Sequence, residues 1–150
     1  MKMISLYQKM IEKLNMLADL PLLLFRLVLA YGFYSPAMMK LGNISGIADW
    51  FEGMGMPFPT LNAYLATYTE VAGFVLLILG FGTRIIAVPL MIVMLVAIQT
   101  VHWSNGFEAG NNGFEIPLYY LLMLFGLLVY GPGKISVDHF VKKYVMAKMG

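Results

Sequence analysis

The sequence predicts an all-α integral membrane protein: a four-helix transmembrane bundle with an amphipathic helix at each end. Three observations lead there. Hydrophobic residues make up 60% of the 150-residue chain and charged residues only 12%, against roughly 25% charged in ordinary soluble domains, which leaves too few charges to coat a globule. The apolar residues gather into four runs of the length a bilayer crossing needs. The cations outside those runs are sorted by side, as membrane insertion sorts them.

Residues 1–18 form the first unit. Met3, Leu6, Tyr7, Met10, Ile11, Leu14 and Leu17 recur at helical spacing, with Lys2, Lys9, Glu12 and Lys13 elsewhere around the wheel, the pattern of a helix lying on a membrane surface or leading into the first span. The lysines are not followed by a short apolar core and a small-residue cleavage site, so no cleaved signal peptide is expected.

The membrane domain spans residues 20–133. Span one, Leu20–Leu41, has 22 residues, which at ~1.5 Å each cover a ~30 Å hydrocarbon core. Pro36 predicts a kink or break near its far end. Arg26, Ala30, Phe33, Ala37 and Lys40 share one face, which should point into the bundle. Gly42–Pro59 reads as a loop with four glycines and two prolines, and a helical turn over Ile47–Phe51. Span two, Thr60–Phe81, carries Ala63, Ala66, Thr67, Glu70 and Gly73 on a small-residue face that permits close helix approach. Thr83-Arg84 turns into span three, Ile85–Trp103, with Gln99 and His102 expected on one face near its end. A polar loop, Ser104–Gly113, leads to span four, Phe114–Tyr130, where Glu115 and Pro117 suit the first turn. Residues 134–150 form a basic amphipathic tail.

Four spans place both ends of the chain on one side. That side holds Lys2, Lys9, Lys13, Arg84, Lys134, Lys142, Lys143 and Lys148, while the other holds Lys40 with Asp49, Glu52, Glu108 and Glu115. The asymmetry predicts both termini in the cytoplasm. The chain has no cysteine and a net charge of +2, so thiol chemistry is excluded and nothing points to nucleic acid. No GxSxG, P-loop, HExxH or GxGxxG pattern is present, which leaves hydrolase, nucleotide and zinc-protease readings without support.

The chemistry should lie with the polar residues at membrane depth. An unpaired carboxylate there costs ~2.5 kcal/mol or more, so Glu70 is expected to have a partner. Arg26 is the candidate, because their Cα depths differ by ~7 Å, within reach of an arginine. A second group comprises Lys40, His102, Glu108 and Glu115, with Gln99 just below; His102 and Glu115 can face each other across the last hairpin. Glu70 and His102 are the candidate catalytic residues. Arg26, Lys40, Gln99 and Glu115 are the candidate ligand-binding residues, suited to a small anion, a quinone head group or a metal. Met38, Met39, Met54 and Met56 add thioethers of the kind that suit Cu(I), although most methionines only fill apolar gaps.

With these residues in place the chain resembles the DoxX family of small four-span membrane proteins, over about Leu20 to Gly133. The marks are Arg26, Lys40-Leu41-Gly42, Glu70-Val71-Ala72-Gly73, Gly80-Phe81-Gly82-Thr83-Arg84, His102 and Asn112-Gly113-Phe114-Glu115. One departure is Ala72, where a second glycine is common. The stretch Phe114–Leu124 is also similar to a branch associated with copper-binding modified-peptide biosynthesis. The resemblance implies a bacterial inner-membrane protein working in redox or sulfur stress beside soluble oxidoreductases.

Three functions stay open on the sequence. The first is a quinone-linked oxidoreductase component, with Glu70 or His102 relaying protons and a partner protein or small reductant supplying electrons. The second is a non-catalytic membrane anchor or binding protein that handles copper or a small ligand for partners. The third is a transporter, which from so narrow a bundle requires a homo-oligomer.

Overall fold

The computed structural model describes residues 2–149, with the side chains of residues 2, 4, 5 and 149 outside the description. Every regular element among them is helical. The helices are α1 (Lys2–Met16), α2 (Asp19–Gly42), α3 (Ile44–Gly53), α4 (Pro59–Leu79), α5 (Thr83–Ala97), α6 (Glu115–Tyr130) and α7 (Val137–Met149). A wide π-type turn over Ile98–His102 and a short 3-10 turn extend α5 as far as Asn105.

The bundle is built from α2, α4, α5 and α6. α2 packs on α4 and α6, and α5 packs on the same two helices. Three helical runs, Leu6–Gly42, Pro59–Leu79 and Thr83–Asn105, are long and apolar enough to cross a membrane, and Glu115–Tyr130 is a shorter apolar helix. The core between them is made of Leu29, Ala30 and Phe33 from α2, Leu77 from α4, Ile86, Ala87, Leu90 and Met94 from α5, and Leu124 and Leu127 from α6. Contact is close where residues are small: a Cβ on Gly73 would come within 2.7 Å of the Leu90 side chain. Dispersion between close backbones is what holds helices together where lipid tails are as apolar as the core. Large apolar side chains such as Leu24, Tyr31, Leu65, Ile85 and Leu122 point outward.

Glycine sets the turn at the end of the bundle where α1 and α7 attach, here the terminal end. α4 stops at Gly80 and α5 starts after Gly82, both at positive φ, +64° and +58°, a region that residues with a Cβ enter only with strain.

Three expectations change on folding. The segment 42–59 is mostly helix, not loop: α3 covers ten residues, its start capped by the Asn43 side chain, which accepts from the Gly46 amide at 3.0 Å. α3 is held by Ala48 and Phe51 packing on Ala63 of α4. α2 continues through Pro36, so of the kink or break expected there the break does not occur. At the far end of α5, the π turn shifts the helical phase, so Gln99 and His102 do not share a face. Gln99 is exposed, while His102 turns inward.

α1 projects from the bundle with its described side chains exposed on all sides, Leu6 and Tyr7 among them. α7 is tied down at its start. The Asp138 carboxylate accepts from the Gly82 and Thr83 amides at 2.8 and 3.2 Å, at the N-terminus of α5, and the Asp138 amide donates to the Gly80 carbonyl at 3.1 Å.

Candidate functional site

A cleft of about 320 Å³ opens at the other end of the bundle, between α2, α4, the end of α5 and α6, beneath the loop 106–114. Glu70 and Lys40 lie in it together: the Lys40 ammonium is 2.6 and 2.7 Å from the two Glu70 carboxylate oxygens. Glu70 is 2% exposed and Lys40 15%, so the contact is a largely desolvated, two-pronged ion pair. Such a pair is strong in place and costly to break by removing one partner.

The pair expected from depth, Arg26 with Glu70, does not form. The reason is the direction in which helical side chains lean. Each Cα–Cβ bond tilts toward the N-terminus of its own helix. α2 and α4 are antiparallel, so Arg26 leans to the terminal end while Glu70 leans to the cleft end. Lys40 leans back into the bundle and meets it. Arg26 is instead buried at the terminal end, where its Nη2 donates to the Ile135 carbonyl and its Nη1 approaches the Leu77 carbonyl at 3.5 Å. Gly80 makes room for it, since a Cβ there would overlap the guanidinium. Its Nε, like the hydroxyl of Thr83, is buried without a partner among the described residues.

His102 is placed on the cleft wall by the π turn. Its Nδ1 lies 2.8 Å from the Asn112 carbonyl oxygen. A carbonyl only accepts, so Nδ1 carries the hydrogen, and in the neutral form of the ring the lone pair lies on Nε2. Asn112 is fixed in turn by Asn105, which donates to the same oxygen at 3.2 Å.

Glu115 does not face His102. Its carboxylate turns into the loop, accepting from the Ala109 amide at 3.0 Å and from the Tyr119 hydroxyl at 2.9 Å. It shapes the lid and does not line the cleft. The lid is further set by Gly113, where any Cβ would collide with the Gly106 and Glu108 carbonyls, and by Trp103 stacked on Phe114, ring centroids 5.3 Å apart. Glu108 holds the Asn111 side chain at 3.2 Å. Gln99 also lies outside the cleft, and of the methionines among the described residues only Met94 lines it. Met54 and Met56 pack under α3 instead.

The cleft therefore combines apolar walls (Phe33, Ala97, Ile116, Pro117) with an internally neutralised ion pair and one imidazole acceptor. That is the common make-up of small-molecule sites, apolar lining with a few placed polar groups. Sequence reasoning missed Tyr120, which also lines it. The signal was present: Pro117, Tyr120, Leu124 and Leu127 recur at helical spacing along the inward face of α6.

Comparison with known proteins follows the same outline. The chain is 31% identical over 131 residues to an uncharacterised protein of Haemophilus influenzae, covering 85% of this chain and 87% of that relative. It is 30% identical over 132 residues to the "Putative oxidoreductase CatD" of Bacillus subtilis, covering 87% and 93%. It is 30% identical over 126 residues to the "Inner membrane protein YphA" of Escherichia coli, covering 78% and 87%. No solved structure matches it. The family model that matches, over residues 21–103, is DoxX, a stretch that takes in Arg26, Lys40, Glu70 and His102, and the chain belongs to the DoxX family.

Proposed function

We propose that this protein is a membrane-embedded component of a redox system that takes a quinone head group, or a reductant of similar size, into the cleft beside Lys40, Glu70 and His102. In this reading α2, α4, α5 and α6 all cross a bacterial inner membrane, with both termini in the cytoplasm. The observation that carries it is the Lys40–Glu70 pair, closed on itself in a cleft that also holds the His102 imidazole. A quinone becomes a quinol by taking up two electrons and two protons. Glu70 and His102 take up protons from the aqueous side and pass them to the ring, and Lys40 steadies the negative charge that builds on the ring oxygen. The electrons come from a partner protein or a soluble reductant. The names carried by the Bacillus subtilis and Escherichia coli relatives support an oxidoreductase setting and an inner-membrane location.

The test is a titration of the purified protein in lipid nanodiscs with decylubiquinone, followed by tryptophan fluorescence and thermal shift, together with mass spectrometry of co-purified lipids. Binding that weakens in Glu70→Gln and His102→Ala is the expected result. A wild-type protein that neither carries nor binds a quinone ends the proposal.

A further inference from the structure

Tyr120 stands apart from the other polar residues of the bundle. Its ring is held edge-on against Phe33, centroids 5.6 Å apart at 60°, and its hydroxyl lies against the backbone of Gly32, where a side chain of any size would overlap it. Gly32, Phe33, Pro36 and Tyr120 all line the cleft. Among the described residues none makes a hydrogen bond to the Tyr120 hydroxyl, on a side chain that lines the cleft. A partly buried tyrosine hydroxyl normally has a partner. The backbone beside it is short of one as well. Pro36 has no N–H, so the Gly32 carbonyl lacks the donor four residues on that the rest of the helix supplies.

We infer that Tyr120 is a ligand-contacting residue of the cleft, its hydroxyl kept for a ring oxygen of the bound head group. The inference rests on the cleft being the quinone-sized site proposed above and adds a specificity-determining residue to it. Glycine at 32 makes the seat, the Phe33 ring fixes the tilt, and the unbonded hydroxyl supplies one donor at a wall otherwise apolar. A ligand with a polar atom at that position gains one hydrogen bond, and a hydrocarbon ring of the same shape gains none.

The experiment uses the full chain in nanodiscs and decylubiquinone as the probe, comparing wild type with Tyr120→Phe, Tyr119→Phe and Glu70→Gln. Tyr119→Phe removes the neighbouring hydroxyl, which is bonded to Glu115 outside the cleft. The expected result is a Kd five- to thirty-fold higher for Tyr120→Phe, the loss of about 1–2 kcal/mol that one hydrogen bond represents. Its melting temperature without quinone stays that of wild type, and Tyr119→Phe keeps the wild-type Kd. Equal affinity of Tyr120→Phe and wild type, with Glu70→Gln weakened, overturns the inference and leaves the cleft as the site. A Tyr120→Phe variant that melts early without quinone overturns it too, because the hydroxyl is then already engaged within the protein. A wild type that does not bind the probe removes the proposed function and this inference with it.

Discussion

Glu70 is 2% exposed, and the ammonium that neutralises it comes from a helix end 30 residues earlier in the chain. Removing one partner leaves the other charged in a poorly solvated place, while removing both leaves two neutral side chains. Lys40→Met should therefore destabilise the protein by ~3–5 kcal/mol. Lys40→Met/Glu70→Gln together should lose less than Lys40→Met alone, read by denaturant unfolding in detergent. Losses that simply add would show that the two groups do not interact. Gly80 offers a second test at this scale. Gly80→Ala sets a Cβ against the Arg26 guanidinium at a φ of +64°, whereas Gly55→Ala, at φ +72°, meets open space. Gly55→Ala should cost about 1–2 kcal/mol, the strain of the left-handed region alone. Gly80→Ala should cost clearly more, and equal melting temperatures for the two would mean that Arg26 is not seated there.

Among the elements, the π turn and the start of α7 matter most to the site and to the frame. The π turn parts two residues that a regular helix would align. Gln99→Leu should keep wild-type quinone affinity, and His102→Ala should lose at least tenfold, roughly the 1.4 kcal/mol of a single good contact. An equal loss in both would contradict the phase shift. α7 is fixed through Asp138, which caps the N-terminus of α5. Asp138→Ala should lower stability by ~0.5–2 kcal/mol, as loss of a helix cap does. It should also make the segment after Gly133 an early target in limited proteolysis. Neither arrangement is visible locally. A π turn depends on what the helix packs against, and Asp138 lies 56 and 55 residues from the two amides it caps.

For the molecule as a whole, the sorting of charge predicts an orientation that the cysteine-free chain makes easy to test. Single cysteines at Lys13 or Lys148 should react with an impermeant maleimide only after the cells are opened, and cysteines at Ser45 or Ser104 before. Labelling of Lys148→Cys in intact cells would refute the inward termini. The four apolar runs, the small-residue face of α4 and the inward face of α2 could all be read from the sequence. Helical periodicity and hydropathy are local properties, and the bilayer turns them directly into helices and their orientation. Which charge meets which could not be read that way. It depends on helix direction, side-chain lean and the phase of one wide turn, and these become definite only when α2, α4, α5 and α6 are packed together. That packing took Glu70 from Arg26 and gave it to Lys40, and it gathered the ion pair, His102 and Tyr120 around a single cleft.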